Sequence, residues 1–182
     1  MVKIEKVIGN KVYFQNGLTI GLSRTIISEY NLKRREMLSE EEYMKILEIA
    51  ALSTSYYLLS KRDYSKRELF EKLYGKYFNK EIINKVMEIL KDKGYLDDYE
   101  FARGYVNTHS YGKVKMTFML KQKGITSDII EEVLEDNRDE ELENLRKHLK
   151  KLRGREVEKQ IAALMRKGFN YGDIKKVMNE EN

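Results

Sequence analysis

The alternation of apolar and polar positions changes period once along this chain. Up to residue 22 the period is two. Val-Lys-Ile-Glu-Lys-Val-Ile (2–8) alternates, Lys-Val-Tyr-Phe (11–14) is rich in β-formers, and Leu-Thr-Ile-Gly-Leu (18–22) makes a third short run. Gly9-Asn10 and Asn16-Gly17 separate them. Both residue types tolerate positive φ, so these pairs read as hairpin turns. A helix-like piece, Arg24 to Leu32, and the basic run Lys33-Arg34-Arg35 follow. From Ser39 onward the period is helical. Ser39 with Glu42 and Ser65 with Glu68 form capping boxes, in which serine and glutamate satisfy orphan backbone N–H groups. Asn79 is placed to cap a third helix that stops at Gly94, and Asp98 to cap the next. Gly124 and Gly168 read as further stops, followed by caps at Thr126 and Asn170. The pattern predicts about nine helices of roughly 10–20 residues.

An internal repeat underlies this rhythm. Leu73, Phe78, Ile83, Val86 and Met87 align, at an offset of 47, with Leu120, Ile125, Ile130, Val133 and Leu134. A further offset of 44 gives Leu164, Phe169, Ile174, Val177 and Met178. All five columns are apolar, and Lys76, Lys123 and Lys167 add a charged one. The Ile-x-x-Val-Met/Leu spacing puts these side chains on one helical stripe. A period near 45 means one supersecondary unit used three times, with neighbours stacking because a unit this small buries little area. The predicted fold is mainly α, with tandem three-helix repeats (three copies) in an elongated stack and a small β-rich N-terminal module. Its divisions are 1–38 for the module, then 39–98, 99–137 and 138–182 for the repeats.

Composition supports this and removes several chemistries. Among 182 residues there is no proline, no cysteine and no tryptophan. Without proline nothing forbids a helix interior, and without cysteine there is no disulfide, thiolate metal site or thiol nucleophile. No apolar run approaches a membrane span, and the N-terminus lacks a signal-peptide core, so a cytoplasmic protein is expected. The net charge of +5 is uneven: residues 1–39 carry 7 basic and 3 acidic side chains, and 142–182 carry 11 and 6.

Candidate chemistry is sparse. His109 and His148 lie in separate repeats, neither with a ligand set of zinc-site spacing, so no metal is expected. No Gly-rich phosphate loop is present, and no cofactor is expected. Asp97 and Asp98 could in principle work as acid and base, but they follow a helix-stop glycine and precede a helical run, where aspartate caps. Tyr95 and Leu96 would plug that joint, and Phe101 and Ala102 would begin the next core face. Basic rows remain as contact candidates. Arg103, Lys113, Lys115, Lys121 and Lys123 form the first. Arg146, Lys147, Lys150, Lys151, Arg153 and Arg155 form the second, and Arg166 and Lys167 a third. Such rows can follow a phosphate backbone. The tyrosines fall mostly at core spacing, so stacking platforms and sequence-specific readout are not expected.

Three stretches in this order and spacing, LLSKRDYSKRELFEKL (58–73), KDKGYLDDYEFARGYV (91–106) and LKQKGITSDIIEEVL (120–134), resemble the RecX family, regulators of the RecA recombinase. FQNGLTIGLSRTIISEYNLKRREMLSEEE (14–42) looks like the β-rich extension that some members carry. The resemblance implies a non-enzymatic protein of homologous recombination, DNA repair and the SOS response. It would lie in the groove of a RecA–DNA filament and mainly inhibit RecA ATPase and strand exchange. DNA binding would be weak and not sequence-specific, and the protein a monomer. The joint Arg62-Asp63-Tyr64-Ser65 and the seam Gly94-Tyr95-Leu96-Asp97-Asp98, with Phe101 and Ala102, are marks of the family with structural roles expected. The chain departs from the family where Lys-Gly-Pro-Arg-Arg is usual: it has Tyr111-Gly112-Lys113-Val114-Lys115-Met116. Lysine lacks the bidentate geometry of arginine, so a phosphate contact there would be weaker. Two other readings stay open: a stand-alone helix-turn-helix DNA-binding module, and a general helical interaction scaffold.

Overall fold

The computed structural model describes residues 1–180. The chain divides into two compact units, Met1–Leu96 and Asp97–Asn182.

In the first unit, β1 (Val2–Ile8), β2 (Lys11–Phe14) and β3 (Thr19–Gly21) form an antiparallel meander. A fourth strand, β4 (Met37–Leu38), was not predicted. It pairs with the other side of β1, giving the order β3-β2-β1-β4. Two residues carry no period of their own, so only the distant partner Val2–Lys3 makes this segment a strand. Between β3 and β4 lies the short α1 (Arg24–Glu29), capped by Ser23. Then come α2 (Glu40–Leu59), α3 (Lys66–Tyr77) and α4 (Lys80–Asp92). Both expected capping boxes form, and Asn79 caps α4 through its side-chain oxygen.

The sheet and these helices share one core. Ile4, Val12, Phe14 and Ile20 are buried together with Ile46, Leu47, Leu69, Leu73, Ile83 and Val86. The Phe14 ring meets Tyr43 of α2 edge-on, with centroids 5.0 Å apart. Arg35 ties the chain before β4 to α2, its guanidinium reaching both oxygens of Glu42 at 2.6 and 2.7 Å. The same carboxylate accepts the Ser39 N–H of the capping box. Arg35, with Ser39, holds the Glu42 carboxyl at about 2, well below the usual carboxylate range. The basic run thus loses one member to structure.

In the second unit, α5 (Asp98–Asn107), α6 (Lys113–Gln122) and α7 (Ser127–Asp136) enclose one core cluster. A second cluster lies among α8 (Arg138–Lys150), α9 (Val157–Arg166) and α10 (Tyr171–Glu180). Nine helices therefore follow the sheet region among the described residues, as the pattern predicted, in three consecutive triplets.

The repeat columns are buried except for Phe78 and for Met87 and Met178, which are half-buried against their cores. Leu73, Leu120 and Leu164 are fully enclosed, and so are the three isoleucines and the three valines. Phe78 departs: it is 75% exposed, whereas its counterparts Ile125 and Phe169 are buried. The reason is a different helix end. In the later repeats Gly124 and Gly168 take positive φ and the next residue turns inward. In the first repeat α3 runs on, Tyr77 fills the core, and Phe78 itself adopts the left-handed conformation at φ 52°. Among the described residues no helix is long and apolar enough to cross a membrane.

Candidate partner-binding surface

The segment that departs from the family pattern is an internal joint of the second unit. Gly112 takes the N-cap position of α6 but has no side chain to cap with. The orphan N–H groups find partners from later in the chain. Lys113 N–H donates to Glu141 Oε1 of α8 at 2.6 Å, and Val114 N–H to the Gly168 carbonyl at 3.0 Å. Gly112 N–H donates to the Lys167 carbonyl at 3.0 Å. A buried Glu141 carboxylate thus occupies the site where a free helix N-terminus would attract an anion. Arg138 completes the set, donating to Glu141 at 2.7 Å and to Asp173 of α10 at 2.5 Å. Those two carboxylates, Asp173 first, raise the already high pKa of Arg138. Removing Glu141 leaves the Lys113 N–H and the Arg138 guanidinium short of a charged acceptor. Glu141→Ala is expected to cost roughly 1.5–3 kcal/mol, and Glu141→Gln distinctly less; urea denaturation of the two variants measures the difference.

Lys115 and Lys123 rest on aromatic rings. Lys115 Nζ lies 3.8 Å from the Tyr111 ring centroid. Lys123 Nζ lies 5.0 Å from the centroid of Tyr105 and 5.8 Å from that of Phe101. These rings belong to a column, Phe101–Tyr105–His109–Tyr111, with successive centroids 6.0, 4.1 and 5.9 Å apart. Its members beyond Phe101 are half-buried, with Tyr105 and Tyr111 packed against the edge of the α5–α7 core. Their faces are taken by one another and by the two lysines. Arg103 lies outside the column and pairs with Glu100 at 2.6 Å.

Lys113 and Lys121 make no side-chain ion pair among the described residues. With Thr117 they form one wall of a groove of about 580 Å³, and Glu131, Glu132 and Glu135 of α7 stand on the other. On the outer face of α6, Val114 and Phe118 stand 62% and 60% exposed, one turn apart. Lys121 is one turn further on. The sequence reading missed these two apolar positions; their i, i+4 spacing off the core stripe was the available signal.

The second basic row is partly neutralised. Arg146 binds Glu180 at 3.1 Å, and Lys147 lies 3.6 Å from Glu140. Lys150, Lys151, Arg153, Arg155 and Arg166 are exposed around the turn between α8 and α9 and the end of α9. Lys167 is half-buried at the α9–α10 turn. His148 reaches across to the loop before α6, its Nε2 3.0 Å from the Ser110 carbonyl. Burial lowers its pKa, and Lys167 and Lys151 lower it further, against the Ser110 carbonyl. A histidine with a depressed folded-state pKa binds fewer protons folded than unfolded just below the usual histidine range. Its contribution is therefore present above about pH 6.5 and lost as pH falls from there through the depressed folded value. The second unit is expected to melt lower at mildly acid pH than at neutral pH. His148→Gln should flatten that dependence in paired thermal melts.

The residues that carry the family resemblance sit at helix joints. Arg62 donates to the Asp63 carbonyl at 2.7 Å and to Glu68 at 3.2 Å, and lies 3.7 Å over the buried Tyr64 ring. Ser65 caps α3. At the seam, Gly94 turns with φ 73° and Leu96 is buried, as are Phe101 and Ala102. Tyr95 is not the expected plug: it is 53% exposed and meets Tyr56 edge-on at 5.2 Å. The cap of α5 is Asp97, not Asp98. Asp97 has extended backbone angles, and its Oδ1 accepts the N–H groups of Tyr99 and Glu100. Asp98 is already the first helical residue. No cluster of three potential metal ligands occurs among the described residues.

Two family models match this chain. One, described as the first three-helix domain of RecX, covers residues 51–90; the other, described as its second three-helix domain, covers residues 97–134. The regulatory protein RecX of Clostridioides difficile (strain 630) is 32% identical over 187 residues, spanning 93% of this chain and 87% of that protein. That of Streptococcus pneumoniae serotype 19F (strain G54) is 30% identical, spanning 88% and 68%. Among solved structures, RecX from Lactobacillus salivarius superposes with a TM-score of 0.69 at 23% identity, over 75% of this chain and 97% of that one. A second crystal structure of a regulatory protein RecX gives 0.62 at 19% identity, over 98% and 100%. With two of its helix triplets matched as RecX three-helix domains and its near-full-length likeness to regulatory proteins of that name, this chain belongs to the RecX family.

Proposed function

We propose that this protein is a non-enzymatic regulator of the RecA recombinase. It binds the RecA–DNA filament, occupies the filament groove and mainly inhibits ATP hydrolysis and strand exchange. The observation that carries the reading is the outer face of α6, where Val114 and Phe118 are exposed beside Lys121 on a helix anchored from behind by Glu141 and Gly168. An exposed aromatic and an aliphatic residue flanked by an unpaired cation suit a protein partner, where apolar anchors supply binding energy and charge supplies register. Membership of a family of regulatory proteins directs that face to RecA. The exposed cations around the α8–α9 turn suit the phosphates of the filament's DNA, weakly and without sequence preference. In this reading the protein works as a monomer whose parts are the module 1–38 and the repeats 39–98, 99–137 and 138–182.

The test adds the protein to RecA, single-stranded DNA and ATP. Sub-stoichiometric amounts should slow ATP hydrolysis and strand exchange, and unchanged rates and filament lengths would remove the proposal. Lys121→Glu combined with Lys123→Glu should weaken filament binding while circular dichroism stays the same; equal affinity would take α6 out of the interface.

A further inference from the structure

We infer that the N-terminal module carries its own phosphate-recognition cleft, for the phosphodiester backbone of a nucleic acid. The cleft, of about 640 Å³, is framed by the β1–β2 turn at Gly9 and Asn10, by α1, and by the segment after it. Arg24, Lys33 and Arg34 line it, together with the polar side chains of Asn10, Ser28 and Asn31, and no acidic residue does. It lies outside both segments matched by the family models.

Three features separate this cleft from an ordinary solvated surface. First, the cations are spare. Neither Arg24, Lys33 nor Arg34 has an ion-pair, hydrogen-bond or ring partner for its side chain among the described residues. Their neighbour Arg35 is consumed by Glu42 at 2.6 and 2.7 Å. Second, their convergence is made by the fold, since Arg24 opens α1 and Lys33 and Arg34 come after Asn31, which turns the chain with φ 52°. Like charges gathered around one cleft repel, so the arrangement gains only when an anion enters. Third, the neutral lining can donate. The Ser28 hydroxyl and the amides of Asn10 and Asn31 can hydrogen-bond phosphate oxygens, and arginine offers the bidentate fork that phosphate matches. The cations are all exposed, which suits a backbone passing over the cleft rather than a small phosphate sealed inside it. Such contacts position a chain on nucleic acid and read no sequence.

The choice of nucleic acid as ligand rests on the filament reading; the cleft itself does not. The test uses the full chain without RecA. Binding to labelled single-stranded and duplex oligonucleotides is followed by fluorescence anisotropy over a salt series. Relative to the unmodified protein, Arg24→Ala/Lys33→Ala/Arg34→Ala is expected to bind more weakly. Its log affinity against log salt should be shallower by roughly 2 on single strands, about 0.7 for each lost contact. Its melting temperature should not fall, since no substituted side chain is buried and like-charge repulsion is relieved. An unchanged slope overturns the inference. So does saturation of the Asn10, Ser28 and Asn31 amide shifts by inorganic phosphate with oligonucleotide binding unaffected, which would make this a small-anion cleft. A flattened slope in a protein with no effect on RecA ATPase would sustain the cleft and discard the filament reading.

Discussion

Gly168→Ala is expected to cost roughly 2–6 kcal/mol and to loosen the second unit. Two penalties combine. Gly168 holds φ +89°, a conformation that strains any side chain by about 1–3 kcal/mol. A Cβ there would also overlap the Cβ and backbone of Lys115 at the start of α6. Overpacking of this kind costs about 1–3 kcal/mol more, because the contact is with main chain that cannot swing aside. Two other glycines separate the terms. Gly154 has φ +87° and nothing within 4 Å of its would-be Cβ, so Gly154→Ala should show strain alone. Gly112 sits at φ −75°, where alanine is unstrained, but its Cβ would run into the backbone of Gly168 and Phe169. Gly112→Ala should therefore show overpacking alone. Denaturant midpoints for the three variants should place Gly168→Ala lowest. Equal midpoints for Gly168→Ala and Gly154→Ala would mean that the close approach between α6 and the α9–α10 turn is absent in solution.

Leu73→Ala and Leu120→Ala should each cost roughly 2–5 kcal/mol, as truncations of fully buried leucines do. Both occupy the same repeat column, yet they belong to different cores. Leu73 lies in the cluster shared by the sheet and α2–α4, which has a wide choice of neighbours for relaxation. Leu120 lies in the smaller cluster of α5–α7, where Met116, Ile125, Ile130 and Val133 surround it. The smaller core can collapse less, so Leu120→Ala should fall toward the upper end of the range. Amide exchange reports where each loss is felt: protection should drop among α2–α4 for the first variant and among α5–α7 for the second. A uniform loss in both variants would show that the chain unfolds as one cooperative body, and not as two units.

Much of the local structure was legible because its causes are local. The capping boxes at Ser39 and Ser65 need only residues three apart, and both form. Gly94, Gly124 and Gly168 end helices because only glycine takes positive φ without strain, and all three do so. The same logic explains why Phe78 differs from the rest of its column: Tyr77 stands where the later repeats have the glycine that ends their helices. The seam misled for a related reason. Asp97 and Asp98 are both good caps, and a one-residue difference in helix start, within ordinary boundary error, decides between them.

The candidate surface was legible as a list of cations and no further. Charge counts could not say that Arg35, Arg103 and Arg146 are engaged by Glu42, Glu100 and Glu180, or that Lys115 and Lys123 lie over rings. The carboxylate that caps α6 is 28 residues away in sequence.

By itself the sequence determined the two-period pattern, the helix triplets and the family, because periodicity, caps and motifs depend on residues close together in the chain. Tertiary structure alone decided that β4 exists, that the sheet and first repeat share a core, which aspartate and which phenylalanine face where, and which cations remain unpaired. The strand, the shared core and pairs such as Arg146–Glu180 depend on partners far along the chain, and no local pattern of residue types encodes which distant group will arrive; Asp97 and Phe78 turn instead on where a helix starts or stops by one residue.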